Sequence, residues 1–243
     1  MAQYKEEALV LGTHNWGEAD RMVTLFTRSS GKLKAVAFGC RRPRSPLAAG
    51  MQMFSHVEVQ LQNGMRLPTV KQCALLHRYP KLSEHLETMA YGTFVAEMVR
   101  EFLPEHVPDE AVFDLLLEIF EAFEKRNPRI TALAAAWQLL EHSGLQLHFE
   151  RCVHCGKEIQ ENSFFDLGEG GILCWKCRTL HAENLTLGVR NLIRSLRDMD
   201  WKKEKRFILK RDELLAAEKI LLTYLQQTLG HPMKSLQFLQ QLS

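Results

Sequence analysis

No apolar run in this chain approaches the roughly 20 residues that cross a bilayer. The longest, such as Ala132 to Trp137, are far shorter, and no membrane span is expected. A secretory leader is not expected either. The opening Met-Ala-Gln-Tyr-Lys-Glu-Glu carries two carboxylates where such a leader needs a basic patch and an apolar stretch, so the chain is expected to stay in the cytoplasm. There is no glycine run of the phosphate-cradling kind, which argues against ATP-driven work by this chain alone. The His-x-Glu that accompanies Cys-x-x-Cys in zinc deaminases is also absent. Neither an internal repeat nor a low-complexity segment appears.

What is present is ordinary globular sequence: 243 residues, 46% hydrophobic and 25% charged, enough for one large domain or two modest ones. The net charge of +2 hides a segregation. Residues 1–81 carry a balance of +7, residues 82–150 of −9 and residues 151–243 of +4. Such segregation points to different partners for different segments, although acidic helix faces are also commonly just solvated.

Hydrophobic periodicity orders the chain. From Met51 to Leu61 the odd positions are mostly apolar and the even ones mostly polar, which predicts a half-buried strand. Asn63-Gly64 then predicts a hairpin turn into a second strand from about Arg66 to Leu76. Glu7–Leu11, Met22–Thr27 and Lys32–Phe38 are further β-prone runs, with Ser29-Ser30-Gly31 a turn between the last two. Five strands without a long helix predict a small closed barrel, and the OB-fold has that count. After Pro80 the period becomes helical. One helix ends before Pro104 and Pro108, a second follows Asp109, and a third has Asn127-Pro128 at its start and Ser143-Gly144 at its end. Two more run from about Val189 to Met199 and Asp212 to Leu229. The fold class is therefore α+β: an OB barrel over residues 1–80, then a helical domain in two parts, 81–148 and 182–243, interrupted by a cysteine-bearing module at 149–181.

That module carries the strongest chemical signal. Cys152-Val-His-Cys155-Gly156 and Cys174-Trp-Lys-Cys177 are two C-x2-C pairs. A two-residue gap lets a tight turn aim both thiolates at one ion, and two such knuckles complete a tetrahedron around one Zn2+. Four thiolates leave no open position for an activated water, so the zinc is expected to be structural. Disulfides are disfavoured in a reducing cytoplasm. His148, His154 and His181 are near enough in sequence to substitute as ligands, but surface or capping roles are expected of them. Cys40 and Cys73 read as isolated thiols.

Between the third and fourth strands, Cys40-Arg-Arg-Pro-Arg-Ser-Pro-Leu-Ala-Ala-Gly50 sets three arginines beside two prolines. The guanidinium fork suits phosphate oxygens. Lys32 and Lys34 alternate with Leu33, which predicts both ammonium groups on one barrel face, outside the core. An ordinary solvated loop would look the same by charge alone, but on an OB barrel the cluster points to nucleic acid.

Gly17-Glu-Ala-Asp-Arg21, Thr24-Leu-Phe-Thr27, Gly31-Lys-Leu-Lys-Ala-Val-Ala37 and Arg41-Arg-Pro-Arg-Ser-Pro-Leu47, followed by a helix ending at Gly144 just before Cys152-x-x-Cys155-Gly, closely resemble the RecO family of recombination mediators over essentially the whole chain. The resemblance implies a non-enzymatic role in DNA repair near the nucleoid. It implies displacement of single-strand-binding protein together with the partner RecR, loading of RecA onto single strands, and annealing of complementary strands. Separately, the apolar helix stripes and the basic C-terminal region point to a groove for the acidic, apolar-tipped C-terminal tail of single-strand-binding protein. Carried over by position, the family's DNA-binding barrel surface falls on Lys32, Lys34, Arg41, Arg42 and Arg44. One departure is Phe38-Gly39-Cys40, where many relatives have a lysine before the glycine. Phe38 is expected in the core, the alternative being a base-stacking role. A zinc-ribbon transcription regulator of duplex DNA is the rival reading.

Overall fold

The computed structural model describes residues 2–203 and 209–242, and among the last of these the side chains of 240–242 are not described. Residues 204–208, which carry part of the positive charge of the C-terminal region, lie outside the described residues.

Strands β1 (Gln3–Trp16), β2 (Asp20–Thr27), β3 (Gly31–Ala37), β4 (His56–Gln62) and β5 (Thr69–His77) close into a barrel in the order β1-β2-β3-β5-β4. That is the five-stranded OB-fold. Alternate positions turn inward, so Val23 and Leu25, Leu33, Ala35 and Ala37, and Val57, Val59 and Leu61 build one core. Closure depends on β1, which extends well beyond the expected Glu7–Leu11 at both ends. Its first half pairs with β4 and its second half with β2, and an irregularity between Val10 and Gly12 bends it from one to the other.

The strand expected from Met51 begins only at His56. Met51 and Phe54 are buried three positions apart, which breaks the odd-position alternation, and Phe54 has a φ of 67° with its amide donating to the Val10 carbonyl at 2.8 Å. Met51 joins the barrel core from a turn while Phe54 packs on Phe120 outside that core, and apolar residues close together in sequence do not distinguish such a turn from a strand. The turn at Asn63-Gly64 is likewise a longer loop, residues 63–68. Gly64 serves there by its size, because a Cβ would lie 2.3 Å from the Leu67 carbonyl oxygen.

The chain forms two compact units. One runs from the N-terminus to Ala132 and includes the last helix; the other is Leu133–Met233. In the first, α1 (Pro80–Glu84), α2 (Leu86–Phe102) and α3 (Glu110–Lys125) accompany the barrel. Aromatic contacts join them: Phe26 stacks on Phe113 at 6.1 Å, and Phe54 meets the edge of Phe120 at 5.7 Å. Asp109 caps α3 by accepting the Val112 amide at 3.0 Å. Helix α4 (Pro128–His142) starts with Asn127 accepting the Ile130 amide at 3.1 Å and ends before Gly144, whose φ is 71°.

The last helix, α7 (Lys234–Leu242), was not expected from the sequence and belongs to the first unit. The buried Glu97 on α2 caps it, accepting the amides of Lys234 at 3.1 Å and Ser235 at 2.8 Å.

In the second unit, β6 (Ser163–Asp166), β7 (Gly171–Leu173) and β8 (Glu183–Leu185) make a ribbon in the order β7-β6-β8, followed by α5 (Leu187–Arg197) and α6 (Arg211–Leu229). Phe149 joins this ribbon to α4, stacking on Phe165 at 5.6 Å and meeting the edge of Trp137 at 5.7 Å. Gln138 is buried with its amide fully used: it donates to the carbonyls of Arg197 and Met199 and accepts from the Trp201 indole at 2.7 Å.

Candidate metal centre and nucleic-acid interface

The four expected cysteines converge. The sulfur atoms of Cys152, Cys155, Cys174 and Cys177 all lie within 4.8 Å of one another, and Cys155 and Cys174 are 3.8 Å apart. A tetrahedron with metal–sulfur bonds of about 2.3 Å has edges of about 3.8 Å, so the cage has the size of a four-cysteine zinc site. Each knuckle closes by its own backbone. The Gly156 amide donates to the Cys152 carbonyl at 2.8 Å, the Cys177 amide to that of Cys174 at 3.0 Å, and Gly156 takes a φ of 71° that favours glycine.

The donor chemistry also fits a cation. Burial opposes ionisation of Cys152, yet the backbone amides of Cys174, Cys155 and His154 around its sulfur outweigh burial and bring the thiol down to about 6. Cys177 is shifted the other way. Its hydrogen bond to Cys174, with burial next, pushes Cys177 up to about 12. Four thiolates this close need a positive charge among them. None of the three histidines joins the cluster among the described residues, and His154 instead sits 2.9 Å from Glu169.

On the barrel, Lys32 and Lys34 do share one outward face. They line a cleft of about 430 Å³ with His14, Met22, Thr24 and Glu105. Their environments differ. The loop after α2 lies along the β3 edge, where the His106 amide donates to the Lys32 carbonyl at 2.9 Å. Lys32 is consequently buried, against the expectation of an exposed ammonium, and its Nζ donates to the Arg100 carbonyl. Burial lowers its pKa, while Glu105 and Glu101 oppose that shift. Lys34 is exposed and pairs with Glu105 at 3.4 Å.

Arg41, Arg42 and Arg44 are all exposed on a loop whose ends are anchored in the core by Cys40, Leu47 and Met51. Arg41 is fastened to the β1–β2 turn: its amide donates to the Ala19 carbonyl at 2.8 Å and its Nη1 to that of Gly17 at 3.3 Å. Arg44 has a φ of 62°, one of three non-glycine residues in the left-handed region among those described.

Phe38 departs from its expected core position. It is 57% exposed, in the turn that follows the last residue of β3. Trp16, which belongs to none of the sequence motifs, is 48% exposed at the end of β1. Its ladder partner is Asp20, whose carboxylate accepts the Gly39 amide at 2.7 Å, so the end of β1 and the start of the arginine loop are both tied to Asp20. An aromatic at a strand end beside a turn was the only available signal for Trp16.

Comparison with known proteins agrees with this architecture. Residues 1–79 match the family Recombination protein O N terminal, and residues 83–237 match Recombination protein O C terminal. The DNA repair protein RecO of Symbiobacterium thermophilum is 34% identical over 246 residues, covering 98% of this chain and 97% of that one. The protein of the same name from Pelotomaculum thermopropionicum is 34% identical over 177 residues, 73% of this chain and 69% of its own, and that of Exiguobacterium sibiricum is 29% identical over 98% of this chain and 96% of its own. With an OB barrel, a cysteine cage and both halves matched, the chain belongs to the RecO family.

Proposed function

We propose that this protein is a non-enzymatic mediator of DNA repair and recombination that binds single-stranded DNA on the outer barrel surface at Lys34, Arg41, Arg42 and Arg44, with Lys32 beneath them. The observation that carries the reading is the exposure of three arginines on a loop fastened to the β1–β2 turn, with Phe38 and Trp16 also exposed on the two segments that this fastening joins. Cations neutralise phosphates and rings accept unpaired bases, which is how OB barrels hold single strands without reading sequence. Holding a strand with its charge neutralised and its bases unstacked also favours annealing to a complement.

The same reading takes the four cysteines as ligands of one structural Zn2+. When bound, the zinc would join the two knuckles and so fix the ribbon, with no open position for chemistry. RecR, single-strand-binding protein and RecA are the partners that the family resemblance supplies, the acidic tail of the second being the segment that the apolar helix stripes and basic C-terminal region suit, and the work would be cytoplasmic. No helix among the described residues is long and apolar enough to cross a membrane.

The test is fluorescence anisotropy of a random-sequence single strand across a salt series, with wild type beside Arg41→Ala/Arg42→Ala/Arg44→Ala. Three lost phosphate contacts should weaken binding and reduce the slope of log affinity against log salt by about 2. Identical curves would remove the loop from the interface, and strong preference for one duplex sequence would favour the transcription-regulator reading.

A further inference from the structure

The second unit contains a charged cavity that neither the cysteine cage nor the barrel surface uses. It measures about 240 Å³ and is lined by Arg151, Arg190, Arg194, Glu150, Glu158 and Asn191, among others. Arg190 is its unusual member. Only 2% of this residue is exposed, and one guanidinium nitrogen, Nη2, donates to the Ile159 carbonyl at 2.5 Å. Its Nε and Nη1 are buried without a hydrogen-bond partner among the described residues.

Burying charged donors without acceptors is among the costlier things a fold can do. Two carboxylates, Glu150 and Glu158, line the same cavity, but neither forms an ion pair or hydrogen bond with Arg190 among the described residues. Glu150 is engaged by Arg197 at 2.8 Å, lies 3.8 Å from Arg194 and accepts the Phe149 amide at 3.1 Å. Arg194 lies one turn beyond Arg190 on α5, so it adds like charge instead of relieving it. An anion with several oxygens would satisfy the free edge of Arg190 and bridge to Arg151 and Arg194 on the rim, in the bidentate manner that guanidinium groups use.

We propose that this Arg190-centred cavity is a phosphate-binding subsite, and that the phosphate it takes is a phosphodiester of a nucleic-acid strand. The second half rests on the DNA-binding reading above, and it gives the Leu133–Met233 unit its own contact with a strand.

The experiment uses the full-length, zinc-loaded protein. Inorganic phosphate is titrated against chloride at matched ionic strength, following the thermal midpoint, for wild type, Arg151→Ala/Arg194→Ala, Arg190→Met and the barrel-loop triple variant. Wild type and the loop variant should show a saturable rise in midpoint, and in Arg151→Ala/Arg194→Ala the apparent affinity for phosphate should fall by about tenfold or more. Arg190→Met replaces a buried unpaired charge with an apolar chain of similar reach, so without phosphate it should melt no lower than wild type and should lose the response. A flat wild-type titration, or a response confined to proteins with an intact barrel loop, would overturn the subsite. A phosphate response that Arg151→Ala/Arg194→Ala abolishes, with single-strand affinity unchanged, would overturn the phosphodiester assignment and identify a free phosphate as the ligand. Because the phosphate titration involves no strand, it stands or falls independently of the barrel reading.

Discussion

Arg28 donates to Glu7 at 2.8 Å across the β1–β2 pair, and through its other arm it reaches Asp114 on α3 at 2.9 Å. The same guanidinium lies 4.4 Å from the centre of the Phe113 ring, so one side chain ties the barrel to the helix by charge and by stacking. Glu7 also accepts from His56 at 2.8 Å.

This arrangement makes stability sensitive to acid. The Arg28 hydrogen bond holds the Glu7 carboxyl below its ordinary range; burial opposes this and His56 reinforces it. A depressed carboxylate contributes stability that is complete above its unfolded value of about 4.3 and is lost as pH falls through the lower folded value. In urea unfolding followed from pH 7 down to pH 3, Glu7→Gln should start lower by about 1 kcal/mol and lose less on acidification. Arg28→Lys should not restore wild-type stability, since an ammonium cannot bond both carboxylates in a fork and stack on Phe113. Equal acid limbs for wild type and Glu7→Gln would refute the linkage.

Trp16→Ala and Phe38→Ala should each weaken single-strand binding by about 1 to 3 kcal/mol, the contribution of one stacked base. Stacking releases no counterions, so the salt slope should stay at the wild-type value, unlike that of the arginine variant. Each ring leaves about half of its residue in solvent, and the melting temperature should fall only modestly. Unaltered affinity in both variants would leave the strand to the cations alone.

Glu105 sits 3.4 Å from Lys34 and opposes the burial shift of Lys32, so on the proposed reading it would compete with phosphate for this face. Glu105→Gln should tighten strand binding several-fold at low salt and steepen the salt slope by nearly 1, as one more cation becomes available. Anisotropy over the same salt series measures both, and weaker binding by Glu105→Gln would show that the acidic loop positions the lysines instead of masking them.

Metal analysis of the purified protein should find one zinc per chain, falling towards zero in Cys152→Ser/Cys174→Ser. Chelation should perturb Trp175, which neighbours Cys174 and lies under Arg178 at 4.0 Å, while barrel binding of a single strand persists. A protein whose Trp175 emission and thermal midpoint ignore chelation would not have a structural metal.

Much of the architecture was legible because its signals are local. A C-x2-C gap sets two sulfurs within reach of one ion whatever surrounds them, and Asp109, Asn127 and Gly144 mark helix ends by bonds and angles within one turn. Periodicity misled where packing alone distinguishes two states. Met51 and Phe54 are as buried as strand residues but sit in a turn, and α7 depends on Glu97, 137 residues earlier than Lys234.

By itself the sequence determined the five strands, the principal helices, the cysteine cage and the charge of the arginine loop, since period, spacing and charge are carried by neighbouring residues. Only the tertiary structure decided which groups face water. Lys32 and Lys34 are equivalent by alternation, but one lies buried against α2 and the other is exposed; Phe38 faces outward although strand phenylalanines commonly pack; Arg190 is buried although arginine is among the residues least often interior. Exposure depends on what closes over a residue from elsewhere in the chain, and that information is spread over contacts that no local pattern encodes.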